Sequence, residues 1–437
     1  MKKFVIGFCV TTMALAFAAC GGAPAAGTPA QTAETPAAET PAAAPADEGG
    51  VEAAPGAGGS LEFWTMLTGA DGINMDAIVT EFNATNPDFT VNHRPMPAED
   101  LYINFPLAVM SGQGVPDAAL NHIERMRVFA ENNLITDLSP LLGQHGIAGA
   151  DYNARAWDMA SFNGGHWGIP LDIHSFVMYV NMDLYEIHGN GELDDGIVTW
   201  DEIIAAAPSL VEAGLIPFPI TWQRAIFLSM YGQLNGSLST DGENPDFDNA
   251  DALYVLEHWQ MLQNNNWTTQ EGDAPWEMFL GGHAMWVPEG IWMYNHTVQG
   301  GLNVQMVNFP VWDVNRKGNW TSSHQFVVPV ADRDDARVAG IFEFIDFVGN
   351  NSIEWARAGQ VPAHVSIMDH PEFMNMPQAF LAGYDSELAM YDFKHYGHAV
   401  EALDAIFADV RFGRMTAEEG LDQAVREARD RIEMATQ

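Results

Sequence analysis

The chain has 437 residues, 47% of them apolar, and its 58 acidic and 18 basic side chains give a formal net charge of -40. A surface this acidic opposes binding to nucleic acid or to an anionic membrane face, and it argues against a strongly anionic ligand. Solubility in a saline habitat is an alternative reason for the charge. The only cysteines are Cys9 and Cys20, so the rest of the chain has no disulfide, thiol nucleophile or cysteine metal site.

The first twenty residues resemble a bacterial export signal. Lys2 and Lys3 provide a basic start, and residues 4–19 are mainly apolar but too short a run to be a good membrane span of about 20 residues. The small residues before Cys20 resemble a lipobox, which implies that the Cys20 thiol is acylated. An ordinary secretory signal with an incidental cysteine is the alternative.

Residues 21–60 are mostly Ala, Pro, Gly, Thr and Glu without an aromatic residue. Such a segment cannot bury enough apolar surface to offset its chain entropy, so we expect a disordered tether. The chain from Leu61 to Gln437 is too long for one ordinary core and suits two lobes.

The apolar periodicity beyond Leu61 predicts alternating strands and helices. In chain order we predict a strand at 61–64, a helix at 75–83, a strand at 90–94, helices at 102–110 and 125–132, strands at 176–180 and 217–221, helix 250–263, strands 304–307 and 326–330, and helices 336–348, 398–408 and 417–434. Thr199 and Glu202 have the spacing of a capping box that opens a further helix. This alternation predicts the α/β class, and no membrane-spanning helix is predicted after the signal.

The common motifs of enzyme chemistry are absent from the sequence. There is no G-x-S-x-G elbow, phosphate-binding G-x-x-x-x-G-K loop, H-E-x-x-H pair or dinucleotide fingerprint. His395 and His398 are the nearest pair that could share a helix face, but they lack a matching set of ligands, and we interpret them as a solvated face. We therefore predict no catalytic residue, metal site or cofactor, although paired carboxylates of a glycosidase remain an alternative.

Eight motifs in order along the chain resemble the sugar-binding family of extracellular solute-binding proteins of ABC importers. They are LEFWT at Leu61–Thr65, MSGQGVPD at Met110–Asp117, NLITDL at Asn133–Leu138, GIPLD at Gly168–Asp172 with MYVNMDL at Met178–Leu184, TWDE at Thr199–Glu202, FLGGHAM at Phe279–Met285 with GIW at Gly290–Trp292, GQVPAH at Gly359–His364, and the segment Gly413–Ala424. Two positions depart from the family pattern: Ser322-Ser323-His324 stands where a glycine pair is usual, and His364 replaces a frequent arginine.

The resemblance implies a two-lobed periplasmic-binding-protein-like fold with a ligand cleft and three inter-lobe crossings. We place the crossings near Asp172, Thr321 and Val361. The first lobe is then 61–171 plus 325–358, and the second is 172–324 plus 359–437. Closure of the lobes around a ligand is the expected signal to the permease.

The candidate ligand-binding residues combine aromatic rings, which suit the apolar faces of a sugar, with carboxylates, amides and imidazoles, which suit its hydroxyl groups. They are Trp64, His122, Glu124, Asp172, His174, Trp222, Gln223, Trp286, Glu289, Gly290, Trp292, His324, His364 and Tyr396. Each has a structural alternative: the tryptophans can be core residues, Asp172 can bridge the hinge, and Glu124 can be a solvated carboxylate. Trp200, Trp259 and Trp355 are assigned to the core.

The predicted function is non-enzymatic capture of a neutral mono- or oligosaccharide outside the cell and its delivery to an ABC permease. We expect a monomer that contacts the membrane only through its lipid anchor and does not bind nucleic acid. The alternatives are a binding protein for a polyol or sugar phosphate and a secreted carbohydrate-active enzyme.

Overall fold

A computed structural model describes residues 58–85, 88–189, 193 and 196–436. The predicted signal peptide, Cys20 and the predicted tether up to residue 57 lie outside the described residues, whereas Ser60 already begins the first strand. Within the described part of the chain, none of the helices combines the length and the apolar character needed to cross a bilayer.

The described residues form strands and helices that alternate along most of the chain. The strands are β1 Ser60–Thr65, β2 Thr90–Pro95, β3 Ala118–His122, β4 Ser161–Phe162, β5 Gly165–His166, β6 Ile169–Pro170, β7 Asp172–Asn181, β8 Trp286–Gly290, β9 Val304–Asn308, β10 Thr321–Ser322, β11 His324–Val327 and β12 Val361–Pro362. The α-helices are α1 Ala70–Thr85, α2 Ala98–Ser111, α3 Ile123–Glu131, α4 Ser139–Leu142, α5 Ala154–Met159, α6 Met182–His188, α7 Trp200–Glu212, α8 Gln223–Gln233, α9 Ala250–Asn264, α10 Pro275–Leu280, α11 Tyr294–Gln299, α12 Asp335–Asn350, α13 Ile353–Arg357, α14 Val365–Met368, α15 Tyr396–Arg411 and α16 Ala417–Thr436. Short 3-10 helices are Gly143–His145, Gly149–Asp151, Ile291–Met293, Phe373–Asn375 and Pro377–Glu387.

The first sheet has the strand order β2-β1-β3-β11-β6. β1 pairs in parallel with β2 and β3, while β11 is antiparallel to β3 and β6. Helices cover both faces, because Phe63 packs with Phe82 of α1 and Phe344 of α12, whereas Trp64 packs with Leu101 and Phe105 of α2. A sheet that is buried on both faces needs apolar residues on both, which explains the apolar character of its central strands.

The second sheet is built around β7, whose ten residues are all buried. β8, β9, β10 and β12 all pair with it in antiparallel fashion. Alternate residues of β7 enter two separate cores: Phe176 and Met178 pack against α7, α8, α9 and α15, and Val177 and Tyr179 pack against Phe279 and the following 3-10 segments. This strand therefore lies between two hydrophobic cores and contributes to both.

The two sheets are joined by short segments. β6 of the first sheet leads through Leu171 directly into β7 of the second, and β10 leads through Ser323 into β11 of the first. β12 returns to β7 after α12 and α13, with Val361 opposite Ile173. The start of β7 is thus the place where these connections lie side by side.

The structure confirms most of the predicted elements. The predicted helices coincide with parts of α1, α2, α3, α9, α12, α15 and α16, and the predicted strands at 61–64, 90–94, 176–180 and 304–307 lie in β1, β2, β7 and β9. The capping box of Thr199 and Glu202 is present at the start of α7. Trp200, Trp259 and Trp355 are buried, as the assignment to the core predicted.

The strand predicted at 217–221 is wrong, and the strand predicted at 326–330 is confirmed only for its first two residues, for the same physical reason. Residues 217–221 form no strand, and β11 ends at Val327 instead of continuing to residue 330. Pro217, Pro219 and Pro329 have no backbone N–H to donate to a neighbouring strand, so the apolar pattern around them does not extend a ladder.

Asp117 links three elements at the first sheet. Its buried carboxylate accepts a hydrogen bond from the backbone N–H of Glu62 at 2.8 Å and binds the guanidinium groups of Arg333 and Arg337. Because Asp117 directly precedes β3, these bonds fasten β1 and β3 to α12. A carboxylate buried in this way is tolerated only because its partners replace the lost water.

Replacing Asp117 by Asn is expected to lower the free energy of unfolding by about 3 kcal/mol, because two arginines then lose a buried anionic partner. Chemical denaturation at neutral pH measures this change. Asp332→Asn, at an exposed position nearby, is the control and is expected to change stability by no more than about 0.5 kcal/mol. Equal stability of the two variants would contradict the structural role of Asp117.

Candidate functional site

Three histidines meet where the two sheets join. His122 ends β3, and His324 begins β11 directly opposite it in the antiparallel pair. His174, near the start of β7, lies opposite Ser322 of β10. Strand pairing therefore brings together residues that are far apart in the sequence.

The rings of these histidines form a compact group, which we call the imidazole cluster. Ring centroids are 4.2 Å apart for His174 and His324, 4.9 Å for His122 and His324, and 5.5 Å for His122 and His174. One ring nitrogen from each lies within 4.8 Å of the other two. His174 and His324 are buried, whereas His122 is partly exposed.

Asp172 holds two of the three rings in place. Its fully buried carboxylate binds Nδ1 of His174 at 3.1 Å and Nδ1 of His324 at 2.7 Å, and it accepts bonds from the backbone N–H of His324 and from Nε1 of Trp355. Burial opposes the charged form, but the neighbouring His324 and His174 outweigh it and hold the pKa of Asp172 well below its usual range. Burial lowers the pKa of His174, whereas Asp172 outweighs burial at His324 and raises its pKa.

The third ring is held by a different partner. Nδ1 of His122 lies 2.5 Å from the hydroxyl of Tyr102, which also accepts a bond from the backbone N–H of His122. Burial and the nearby His324 and His174 lower the pKa of His122. Burial also raises the pKa of the carboxyl groups of Asp71 and Glu124, both of which lie within electrostatic range of His324.

Indole rings lie beside the cluster. Trp292 and Trp320 approach the ring of His174 edge to face, with centroids at 5.8 Å and 6.1 Å. Trp222 packs edge to face on Trp292 at 6.0 Å and is 56% exposed. Nε1 of Trp320 donates to the hydroxyl of Tyr396 at 3.2 Å. The site thus places apolar aromatic surface next to polar imidazole and carboxylate groups.

Gly290 determines where Trp292 can lie. A Cβ atom at residue 290 would meet the Trp292 ring at 2.1 Å, so only glycine allows the indole to pack directly on the end of β8. The carbonyl of Gly290 also accepts a bond from the hydroxyl of Tyr179 at 2.8 Å. The backbone of β8 is therefore the support for this ring.

Other sequence-predicted residues lie apart from the cluster. Trp64 lines a groove of about 1000 Å³, including solvent at its mouth, at the carboxyl ends of β1 and β2, where Arg94 stacks over its ring at 5.5 Å. Trp286 is buried in the core between β7 and helices α7, α8, α9 and α15, and it donates to the carbonyl of Pro217. Glu289 pairs with Val177, whose side chain faces the core on the opposite side of β7 from His174.

The remaining candidates have structural neighbours of their own. His364 is the N-cap residue directly before α14, where its Nδ1 lies 2.7 Å from the hydroxyl of Ser366 and its ring packs on Tyr152. Tyr396 is buried and supports Trp320. Gln223 is half-buried at the first position of α8, after Trp222.

Four residues near the cluster were not among the predicted site residues: Asp71, Tyr102, Trp320 and Trp355. Trp320 adjoins the segment that departs from the family pattern at Ser322-Ser323-His324, which is the one signal that pointed to it. Trp355 was correctly assigned to the core, but its indole N–H also holds Asp172. Asp71 and Tyr102 carry no local pattern that distinguishes them from ordinary helix residues.

The chain was compared with known families and proteins. Residues 69–354 match the model of the bacterial extracellular solute-binding proteins. The arabinooligosaccharide-binding protein of Halalkalibacterium halodurans is 28% identical over 156 residues, which is 35% of this chain and 34% of that protein. The protein of the same name from Bacillus subtilis is 28% identical over 181 residues, 40% of each chain. The matches thus span less than half the length of these relatives.

A solved structure extends the comparison to nearly the whole described chain. It is an ABC substrate-binding protein of Listeria monocytogenes in complex with cycloalternan, with a TM-score of 0.74 and 18% identity, covering 85% of this chain and 98% of that one. At this identity the likeness concerns the fold, which confirms the predicted two-lobed α/β architecture with its cleft.

Asp172→Asn is expected to lower the free energy of unfolding by about 3 to 5 kcal/mol at pH 7, because a neutral amide cannot replace the shared anion. The folded pKa of Asp172 is depressed, so its contribution is present above about pH 4 and is lost as the pH falls further. Denaturation curves should therefore show that the difference in the free energy of unfolding between the parent and the variant becomes smaller below pH 4. The exposed Asp369→Asn is the control, and a deficit that grows on acidification would contradict this role.

Glu289→Gln is expected to change the pH dependence of the free energy of unfolding in the direction opposite to that of Asp172→Asn. Burial raises the pKa of Glu289 to about 8, so the contribution of this group to stability is fully present below its ordinary pKa of about 4.5 and is lost as the pH rises through 8. Over that interval the parent should lose about 3 to 5 kcal/mol relative to the variant, from 1.4 kcal/mol per pKa unit. Exposed Glu257→Gln is the control; parallel curves for the parent and Glu289→Gln would refute the buried neutral carboxyl.

Proposed function

The chain belongs to the bacterial extracellular solute-binding proteins, and on that premise we propose that it captures a neutral mono- or oligosaccharide and delivers it to the permease of an ABC importer. The observation that carries the proposal is the group of indole rings beside the imidazole cluster. Trp222, Trp292 and Trp320 offer faces and edges for the apolar C–H surface of a sugar ring. The binding is reversible and involves no chemical turnover.

Polar groups suited to hydroxyls surround these rings. The carboxyl groups of Asp71 and Glu124 accept or donate hydrogen bonds, and the imidazole cluster supplies further polar atoms. Arg127 is paired with Asp392, and Arg224 is paired with Asp404. Arg125, which lies within electrostatic range of His122, stacks over the ring of Tyr102. The acidic groups Asp71, Glu124 and Asp172 around His324 favour a neutral sugar over a sugar phosphate.

The groove around Trp64 supports a ligand longer than one sugar ring. It opens at the ends of β1 and β2, on the same edge of the first sheet where His122 ends β3. Its lining combines one indole with polar groups of Arg94, Asp100 and Asn104. The relatives from Halalkalibacterium halodurans and Bacillus subtilis are named for binding arabinooligosaccharides, which agrees with a ligand of several sugar units.

The organisation of the chain is part of the proposal. We assign the lobes to 61–171 plus 325–358 and to 172–324 plus 359–437, because β6–β7 and β10–β11 each connect one sheet to the other.

We also propose export, acylation of Cys20 and anchoring of a monomer to the outer face of the cell membrane. Mass spectrometry of the membrane-extracted protein tests the acylation, since Cys20 must become the lipidated first residue.

A thermal-shift screen over mono-, di- and oligosaccharides is the main test. At least one neutral sugar should raise the unfolding temperature and change the tryptophan fluorescence, since indoles lie in the site. Silence across the sugars with a response to a polyol, sugar phosphate or peptide would overturn the sugar assignment. Release of product from a polysaccharide would overturn the assignment of capture without turnover.

Trp222→Ala is expected to weaken sugar binding about 10-fold or more, corresponding to about 1.4 kcal/mol, with the unfolding temperature of the free protein nearly unchanged because Trp222 is exposed. Isothermal titration with the sugar found in the screen measures the loss. Tyr254→Ala removes an exposed aromatic ring on α9, away from the cluster, and should bind as the parent does. Unchanged affinity of Trp222→Ala would remove this residue from the site.

A further inference from the structure

We propose that His122, His174 and His324 form a binding site for a divalent transition-metal ion of the zinc type. The site does not depend on the proposed sugar ligand, and it differs from the sequence-based expectation that the chain has no metal site. Three imidazoles that converge in space are a common protein set for Zn²⁺, and they leave one coordination position open.

The orientation of the rings is the first argument. Nδ1 of His174 and Nδ1 of His324 are both bound to Asp172, and Nδ1 of His122 is bound to Tyr102. Each ring therefore has its second nitrogen, Nε2, available as a metal ligand. Three histidines are thus each held through one nitrogen, and their three rings meet in one place.

The distances are the second argument. A metal ion about 2.1 Å from each nitrogen of a tetrahedral site places those nitrogens about 3.4 Å apart. One nitrogen of each ring already lies within 4.8 Å of the other two. Movements of less than about 1 Å per ring, within the reach of small side-chain rotations, would complete the coordination.

The outer partners are the third argument. In metal sites the histidine ligand typically donates its other N–H to a carboxylate, which fixes the ring and increases its basicity. Asp172 does this for two rings at once, and it is itself fixed by Trp355 and by the backbone N–H of His324. Such a rigid arrangement lowers the cost of ordering the ligands when an ion binds.

The local charge also favours a cation. The buried Asp172 carboxylate contacts the rings, and the carboxyl groups of Asp71 and Glu124 lie within electrostatic range of His324. All-nitrogen ligation selects Zn²⁺, Co²⁺, Ni²⁺ or Cu²⁺ over Mg²⁺ and Ca²⁺, which prefer oxygen. The open position can take a water molecule or a hydroxyl group of a ligand.

Titration of the purified protein, free of any histidine tag and treated with chelator, tests the proposal. We expect one Zn²⁺ per chain in calorimetry, an increase in the unfolding temperature, and visible absorption bands of low-coordinate Co²⁺. Mg²⁺ and Ca²⁺ should have no such effect. Absence of Zn²⁺ and Co²⁺ binding in the parent would overturn the proposal.

Variants locate the ion. His122→Gln and His174→Gln should each weaken Zn²⁺ binding by at least about 100-fold, and Asp172→Asn by about 10- to 100-fold because it acts on the rings. His398→Gln is the matched control, since His395 and His398 form another histidine pair with ring centroids 6.3 Å apart. Equal binding by the parent and both cluster variants, or loss of binding in His398→Gln, would place the ion elsewhere.

Two measurements keep the outcomes distinct. Circular dichroism of the metal-free variants shows whether they fold, and His122→Gln is the safer variant because its ring is partly exposed and does not contact Asp172. The sugar screen is run on the same chelator-treated protein. A sugar response without metal binding overturns only the metal site, whereas metal binding without a sugar response overturns only the sugar assignment.

Discussion

The buried carboxylate of Asp172 is the interaction on which the junction between the two sheets depends. A negative charge without access to water is tolerated only if several donors surround it. These donors come from β7, from both the ring and the backbone of His324 in β11, and from Trp355 in α13. Elements far apart in the sequence must therefore be in place together before this one charge is stabilised.

The same requirement explains the composition of the cleft. The imidazoles of His174 and His324 are fixed on Asp172, and the indoles of Trp292 and Trp320 pack against the ring of His174. The candidate site therefore directly adjoins the junction between the two sheets. Bending between the lobes would take place at or near the residues proposed to contact a ligand, which suits the proposed signalling of binding by a hinge motion.

Most of the fold could be predicted from the sequence because helices and strands depend on local periodicity. α16, with its regular apolar spacing, and the capping box of Thr199 are examples of signals contained within a few residues. The strands predicted around Pro217 and Pro329 are exceptions. A proline has no N–H to donate to a neighbouring strand, so an apolar pattern around it does not produce a strand.

The site was less accessible to prediction. His122, His174 and His324 were each identified as candidates, but their convergence is created by pairing between strands that are distant in the sequence. A search for metal ligands at short spacing, which led instead to His395 and His398, has no means of detecting this.

Gly290 has a consequence for the entropy of binding. The indole of Trp292 packs directly on the backbone of Gly290, which has no side chain. The end of β8 therefore limits the positions that the ring can take. Its loss of rotational freedom is therefore largely incurred when the protein folds, not when a ligand arrives. A ligand that fits this fixed ring keeps more of its interaction energy, and one that does not fit gains little from side-chain adjustment. If Trp292 contacts the ligand as proposed, the strictness of ligand selection at this ring is determined by Gly290, the residue with the smallest side chain.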